Sequence, residues 1–473
     1  MTRKPLSADM IVIGAGSAGL SVAAGAAQLG LKVILFEKGE MGGDCLNAGC
    51  VPSKALLSAA RAAKAAQGAP AMGVTGAPAQ VDFAAVTDHV RRVIAGIAPH
   101  DSQERFEGLG VRVVREAARF TDRRTVATDT LTATARTFVI ATGSRPFIPN
   151  IPGLAEANPL TNETIFDLTE APKRLLIIGG GPIGCELGQA FRRLGSEVAL
   201  IDAGVILPRE ERSAAALVET ELRADRVELF PGTPVLRVRP GPEVDIVIGG
   251  QVHTLKGSHL LVAAGRRPVL EGLNLEAAGV AFGPDGITTD RSLRSSNQRI
   301  YAAGDVAGRG QFTHLAGAHA SLIVRRSLFA MPVNADALIV PRVTYTDPEI
   351  ASIGLNAEQA QDLYGTRIRI LAAPMSGNDR AQAEGDVRGF GQIIVGPGGR
   401  VLGACLVGRG AGEQILFWSL VMSAGTPLSK VASSIAPYPT RSEINKRLAG
   451  LNFTDALFSP RTRALVSVLK RLS

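Results

Sequence analysis

Two stretches of this chain follow the same rule, and together they restrict its architecture more than anything else in it. Residues 10–13 form a short apolar run entering Gly14-Ala15-Gly16-Ser17-Ala18-Gly19. A small-residue helical stretch follows to about Leu29, then residues 32–37 form a second buried-strand pattern closing on Glu37. Residues 174–178, the turn Gly179-Gly180-Gly181-Pro182-Ile183-Gly184, a helical stretch to about Leu194, and residues 198–202 closing on Asp202 repeat the pattern. In such a strand–turn–helix–strand unit the glycines permit a tight turn and close backbone approach. The helix N-terminus faces a pyrophosphate and the acid accepts from ribose hydroxyls. Glu37 lies 23 residues after Gly14 and Asp202 lies 18 after Gly184, about where a ribose-binding acid belongs. Two such units imply two nucleotide cofactors. At the second, an acid disfavours a 2′-phosphate, which points to NADH over NADPH; Arg209 keeps NADPH open.

The 473 residues exceed one ordinary core and suggest about three domains. Residues 82–108 read as one long amphipathic helix, followed by strand-like residues 111–120 and 125–131. Residues 138–146 end a strand in a Gly/Ser turn, the ending at 260–268 echoes it, and residues 300–305 form another strand closing on Gly304-Asp305. From Val340 the texture becomes α+β, with strands near 343–345, 368–372, 391–395 and 401–407 and helices near 357–364 and 413–424. The expected divisions are 1–150 and 151–275 for the nucleotide domains, 276–339 for a segment returning to the first, 340–455 for the α+β module, and 456–473 for a tail. The fold class is therefore α/β, with two Rossmann-like domains plus a C-terminal α+β domain.

The excess of Lys plus Arg over Asp plus Glu, 51 − 43 = +8, is spread along the chain and does not suggest nucleic acid. The glycine-interrupted N-terminal apolar run is read as neither an export signal nor a membrane span. The tail, residues 460–472, is basic and amphipathic, so weak membrane-surface contact and packing on its own protein are both open.

Between Glu37 and the first long helix lies Gly42-Gly43-Asp44-Cys45-Leu46-Asn47-Ala48-Gly49-Cys50-Val51-Pro52-Ser53-Lys54. A disulfide between Cys45 and Cys50 closes a very short loop and gains little chain-entropy stabilisation, so a bond that opens and closes is the better reading. Pro52 suits a first helical turn, which puts Cys50 near a helix N-terminus that favours a thiolate. Lys54 adds a positive charge one turn on. Two ordinary buried thiols or half of a metal site are the plainer alternatives. A metal site would want further ligands, yet Cys185 and Cys405 stand alone, and no metal ligand set is assigned. A pair poised for exchange fits a reducing cytoplasm. His314 and His319, five apart, do not share a helix face and read as packed or capping residues.

Taken in order, these motifs resemble the pyridine nucleotide-disulfide oxidoreductases of the dihydrolipoamide dehydrogenase, glutathione reductase and mercuric reductase group, over about residues 8–450. The resemblance implies an FAD domain, an inserted NAD(P) domain, and a dimerisation domain that completes its neighbour's site in a homodimer. It implies FAD held by Gly14, Gly16, Ser17, Gly19 and Glu37, with Ala118 near the adenine and Lys54, Thr142, Gly143 and Asp305 around the rest. Gly179, Gly181, Gly184 and Asp202 then hold the nicotinamide nucleotide, and Glu186 pairs with Lys54. Cys50 becomes the flavin-proximal thiolate and Cys45 the outer thiol.

The chain departs from the resemblance where thiol-handling members carry a His-Pro-x-x-x-Glu pair. Tyr438 and Glu443 stand there, and no histidine follows His319. Tyrosine is a poor base at neutral pH, so efficient dihydrolipoamide or glutathione turnover is not expected. Mercuric reductases share the tyrosine but add a vicinal cysteine pair near the C-terminus. This sequence ends Lys470-Arg471-Leu472-Ser473, so compromised Hg(II) delivery is expected. The expected activity is FAD-dependent NAD(P)H oxidation, with electrons passing through the Cys45–Cys50 pair to a thiol/disulfide, soft metal ion or quinone. The alternative is a flavin-bound redox sensor or regulatory binding protein with little turnover.

Overall fold

The structure is a computed structural model and describes residues 5–75 and 80–471. By internal contacts the chain forms two compact units, residues 1–204 with 226–338, and residues 205–225 with 339–473.

In the first unit, β1 (Leu6–Ile13), α1 (Ser17–Gln28), β2 (Val33–Phe36), α2 (Cys50–Gly68) and α3 (Phe83–Ile97) precede β3 (Val111–Val114) and β4 (Thr132–Ile140). The strands run parallel in the order β3-β2-β1-β4, with Ile13 opposite both Phe36 and Ile140. The outer edge of β4 is shared: its first half takes the antiparallel strand Thr125–Ala127, and its last three residues take a strand from residues 300–302, introduced below. The sheet is buried on both faces, which is why β2 reads as the unbroken run Val33-Ile34-Leu35-Phe36. On one face Met10, Val12 and Leu35 meet the alanines of α1, whose small side chains allow close helix–sheet approach. On the other, Ile11, Ile13 and Phe36 pack with Phe120 and Phe138.

The second nucleotide-type sheet is built from β5 (Arg174–Ile178), α4 (Pro182–Arg193), β6 (Glu197–Ile201), β7 (Glu228–Phe230) and β8 (His259–Val262), parallel in the order β7-β6-β5-β8. Between β7 and β8 lies an antiparallel meander, Val235–Arg239, Glu243–Ile248 and Gln251–Lys256, that the sequence reading did not include. Finally β9 (Ile300–Ala302) joins β4, and α5 (Thr313–Phe329) packs on α1.

The long helix expected over 82–108 is broken. Asp82 caps α3, which ends at Ile97. A 3₁₀ turn, Ala98–His100, then carries Pro99, and Ser102 caps a separate helix, Gln103–Gly108. Pro99 has no amide to continue the α-helical ladder, so the chain tightens to a 3₁₀ turn and leaves helical geometry at Asp101, while Ala98 itself stays helical.

The second unit is an antiparallel sheet of β10 (Arg342–Thr344), β11 (Glu349–Gly354), β12 (Arg369–Pro374), β13 (Phe390–Val395) and β14 (Val401–Gly408), in the order β10-β11-β14-β13-β12. It carries α6 (Ala411–Ser423), α7 (Glu443–Leu457) and the tail helix α8 (Pro460–Leu469). The sequence pattern gives no strand over β11, because Ala351 and Ser352 carry weak strand signals and both faces are buried, leaving no alternation. The helix Arg212–Ala224 belongs to this unit rather than to the 151–275 block expected from sequence. Glu221 accepts from Arg388 at 2.8 Å, and Glu211 accepts from the Ala357 amide at 3.0 Å. No residue of α8 is buried, and among the described residues no helix is long and apolar enough to cross a membrane.

Candidate active site

The two glycine turns make the same demands atom for atom. At Gly14 (φ 104°) a Cβ would sit 2.4 Å from the Ala141 carbonyl oxygen, and at Gly179 (φ 119°) 2.4 Å from that of Ala263. At Gly19 and Gly184 a Cβ would lie 1.8 and 1.9 Å from the carbonyl oxygens of Gly14 and Gly179, so only glycine lets each helix close on its strand. Gly16 and Gly181, by contrast, face open space, and neither α1 nor α4 has a side-chain cap. Uncapped first-turn amides beside an open glycine suit a pyrophosphate.

The two acids are fixed alike. Glu37 accepts from the Ala15 and Gly39 amides, both at 2.6 Å, and Asp202 accepts from the Gly180 and Gly204 amides at 2.6 and 2.7 Å. Each carboxylate is thus anchored to its own turn at the end of its strand. The residues fit two bound nucleotides.

The cysteines sit where a short helix, Gly43–Asn47, meets α2. Gly42 (φ 86°) allows the reversal into that helix; a Cβ there would strike the Leu46 side chain at 2.4 Å. Cys45 is half-buried. Cys50 is exposed and opens α2, and both are free thiols. The Cys45 side chain hydrogen-bonds Cys50, and this is the largest influence lowering Cys50 from 9.0 to about 6, against the opposing desolvation of its sulfur by the surrounding protein. Thr313 and Lys54 lower it further, and Asp44 raises it. Cys45 moves the opposite way, well above the ordinary thiol range, first because of its hydrogen bond to Cys50 and then through burial. The pair therefore has one thiolate and one proton-holding thiol at neutral pH.

Lys54 donates to Glu186 at 2.8 Å, the carboxylate being 6% exposed. Cys50 Sγ lies 3.3 Å from Thr313 Oγ1, at the N-terminus of α5. Thr313 is a contact that local sequence could not reveal, since it lies 263 positions away. Asp305 accepts from Ser144 Oγ at 2.5 Å, and burial pushes its carboxyl above the ordinary range. Thr142 donates to the Val269 carbonyl at 2.7 Å, and Gly143 (φ 69°) faces open space. Ala118 is buried against the outer face of the first sheet with Phe120 and Ile140. His319 is fully buried, its Nδ1 accepting from the Gly304 amide at 3.2 Å, so it is a packed residue that braces the Asp305 turn.

Tyr438 and Glu443 belong to the second unit. Tyr438 is 71% exposed and donates to Asp379 at 2.9 Å, which raises its hydroxyl above the usual tyrosine value. Glu443 starts α7 and accepts from the Thr440 amide at 3.5 Å.

Residues 8–320 match the pyridine nucleotide-disulphide oxidoreductase family, and residues 340–449 match the dimerisation domain of the same family. A mercuric reductase of Staphylococcus aureus is 33% identical over 94% of this chain and 82% of its own length. A dihydrolipoyl dehydrogenase of Bacillus subtilis is 34% identical over 94% and 96%. Among solved structures, the HOCl-induced flavoprotein disulfide reductase RclA of Escherichia coli aligns with a TM-score of 0.84 and 28% identity. The alignment covers 94% of this chain and 99% of that one. The chain belongs to the flavin-dependent pyridine nucleotide-disulphide oxidoreductases, enzymes that pass electrons through a cysteine pair.

Proposed function

We propose that this enzyme oxidises NADH and delivers electrons through Cys45 and Cys50 to a soft metal ion, a thiol/disulfide or a quinone. The observation that carries the reading is the asymmetric thiol pair: Cys50 held toward thiolate beside Thr313 and the Lys54–Glu186 pair, and Cys45 retaining its proton. FAD, when bound, supplies the hydride-accepting and electron-passing chemistry. Its proposed holders are the turn at 14–19 with Glu37, and Lys54, Thr142, Gly143 and Asp305. Ala118 is the proposed neighbour of the adenine. Gly179, Gly181, Gly184 and Asp202 are the proposed holders of the nicotinamide nucleotide. In this reading residues 1–150 and 276–339 form the FAD domain, 151–275 without the segment 205–225 the NAD(P) domain, and 340–455 the dimerisation domain. A homodimer is supported by the dimerisation match and by the exposed Leu416 and Leu420, one turn apart on α6.

A metal-ion acceptor is favoured by the mercuric reductase relatives and by the Cu(II) complex in which RclA has been solved. The deciding experiment is an anaerobic steady-state panel of Hg(II), quinones, lipoamide and oxidised glutathione. Turnover with at least one that disappears in Cys45→Ser supports the reading; turnover indifferent to that change contradicts it.

Two further outcomes follow. Because Asp202 is read as the ribose-binding acid, its carboxylate held by the Gly180 and Gly204 amides, and an acid repels a 2′-phosphate, kcat/KM for NADH is expected to exceed that for NADPH by about tenfold or more. Comparison of the two nucleotides at fixed acceptor checks this. Because Tyr438 donates to Asp379 and titrates above its usual value, fewer than about 1% of molecules carry tyrosinate at pH 7.5, and dihydrolipoamide turnover is expected to be slow. Fast turnover would show that another group takes the proton.

A further inference from the structure

Arg266 begins a short strand, Arg266–Pro268, paired with Ser144–Pro146, and its side chain is only 12% exposed. Its guanidinium makes four contacts. Nη2 lies 3.2 Å from Asp44 Oδ1, Nη1 donates to Asn162 Oδ1 at 3.1 Å, and Nε and Nη2 donate to the hydroxyl and carbonyl of Ser144, both at 2.8 Å. Asn162, itself buried, donates to the same Asp44 oxygen at 2.9 Å and to the Ala48 carbonyl at 3.1 Å, within the loop between the cysteines. Through Ser144 the same cation reaches Asp305. Two carboxylates from distant parts of the chain thus converge on one arginine, and one of them belongs to the residue preceding Cys45.

We propose that Arg266 is a positioning residue for the Cys45–Cys50 pair, pinning Asp44 and neutralising its carboxylate beside the reacting sulfurs. The inference rests on the reading of this pair as the redox centre. Reduction breaks the S–S bond with two electrons from the nicotinamide donor and one proton, leaving a Cys50 thiolate and a Cys45 thiol. The reduced pair carries one more negative charge than the disulfide, so an uncompensated Asp44 opposes its formation. Lys54 also favours the Cys50 thiolate but is held on Glu186, whereas Arg266 meets the Asp44 carboxylate directly. A guanidinium suits the position because its planar fork serves several fixed acceptors at once.

The test is the disulfide equilibrium of the flavin-loaded protein. Samples are held in mixtures of oxidised and reduced dithiothreitol at pH 7.5, quenched with a maleimide, and Cys45 and Cys50 are scored by mass. Arg266→Gln is expected to shift the equilibrium about tenfold toward the disulfide, about 30 mV for a two-electron couple. Asp44→Asn is expected to shift it the opposite way, and the double variant to return close to the parent value. Arg266→Gln with flavin retained and the parent equilibrium would overturn the proposal. So would Asp44→Asn moving in the same direction as Arg266→Gln, because mere loosening of the loop has no sign dependence on charge. If Arg266→Gln does not fold, the sign of the Asp44→Asn shift decides alone. A parent protein that forms no Cys45–Cys50 disulfide removes the redox-centre reading, and this inference with it.

Discussion

Replacing Cys50 with serine is expected to lower NAD(P)H-driven acceptor reduction by on the order of 10³-fold or more, while the protein keeps its flavin. The expectation comes from geometry. Cys50 opens α2, its sulfur touches Thr313, and its thiolate character depends on the neighbouring thiol more than on any other group. No other described cysteine can substitute, since Cys185 and Cys405 are buried. The same dependence makes a second measurement informative. In the reduced protein, alkylation of Cys50 is expected to follow a one-proton transition near pH 6, the thiolate being present above that pH and lost below it. In Cys45→Ala the transition is expected to move upward, because the hydrogen bond that lowers it most is gone. A profile unchanged in that variant would mean that Lys54 and the helix N-terminus, rather than Cys45, set the thiolate.

Lys54→Met carries the second large effect. Lys54 supplies the positive charge that lowers Cys50, and it also meets the nearly buried Glu186. Acceptor turnover is expected to fall by on the order of 10²-fold, as when one preorganised electrostatic partner is removed. Stability is expected to fall by only about 1–2 kcal/mol, because Lys54 is itself 38% exposed and part of its charge is screened by solvent. Lys54→Arg keeps the charge and is expected to recover stability more fully than turnover. Steady-state rates and urea unfolding of the same samples separate the two effects, and a loss confined to stability would mean that Lys54 is a structural partner of Glu186 alone.

Much of this site is legible in the sequence. The paired glycine turns were visible because a strand, a left-handed glycine, an unobstructed glycine and a terminal acid leave a pattern at fixed spacing. The structure gives the reason: backbone atoms occupy the space where a Cβ would go at Gly14, Gly19, Gly179 and Gly184. The cysteine pair was visible for the same local reason. The convergence of Thr313, Ser144, Asn162 and Arg266 on it is not, although Ser144 and Arg266 lie in the two matching strand endings at 138–146 and 260–268. Thr313 meets Cys50 across 263 residues, and Asn162 and Arg266 meet Asp44 across the chain, so nothing in local spacing announces these contacts. Strand β11 is hidden because burial on both faces erases alternation, and the helix over 82–108 reads too long because hydrophobic periodicity continues past Pro99 while the α-helical ladder does not. Sequence pattern records local backbone demands well, and long-range polar contacts poorly.

Electrons taken from a nicotinamide donor are expected to come to rest on Cys45 and Cys50. The most direct test is anaerobic titration of the flavin-loaded protein with NADH, followed by acid quench, maleimide trapping and mass analysis of each cysteine. Label is expected at Cys45 and Cys50 together, in proportion to NADH consumed, while Cys185 and Cys405 do not change. NADH consumption with no thiols gained at these two positions would contradict it.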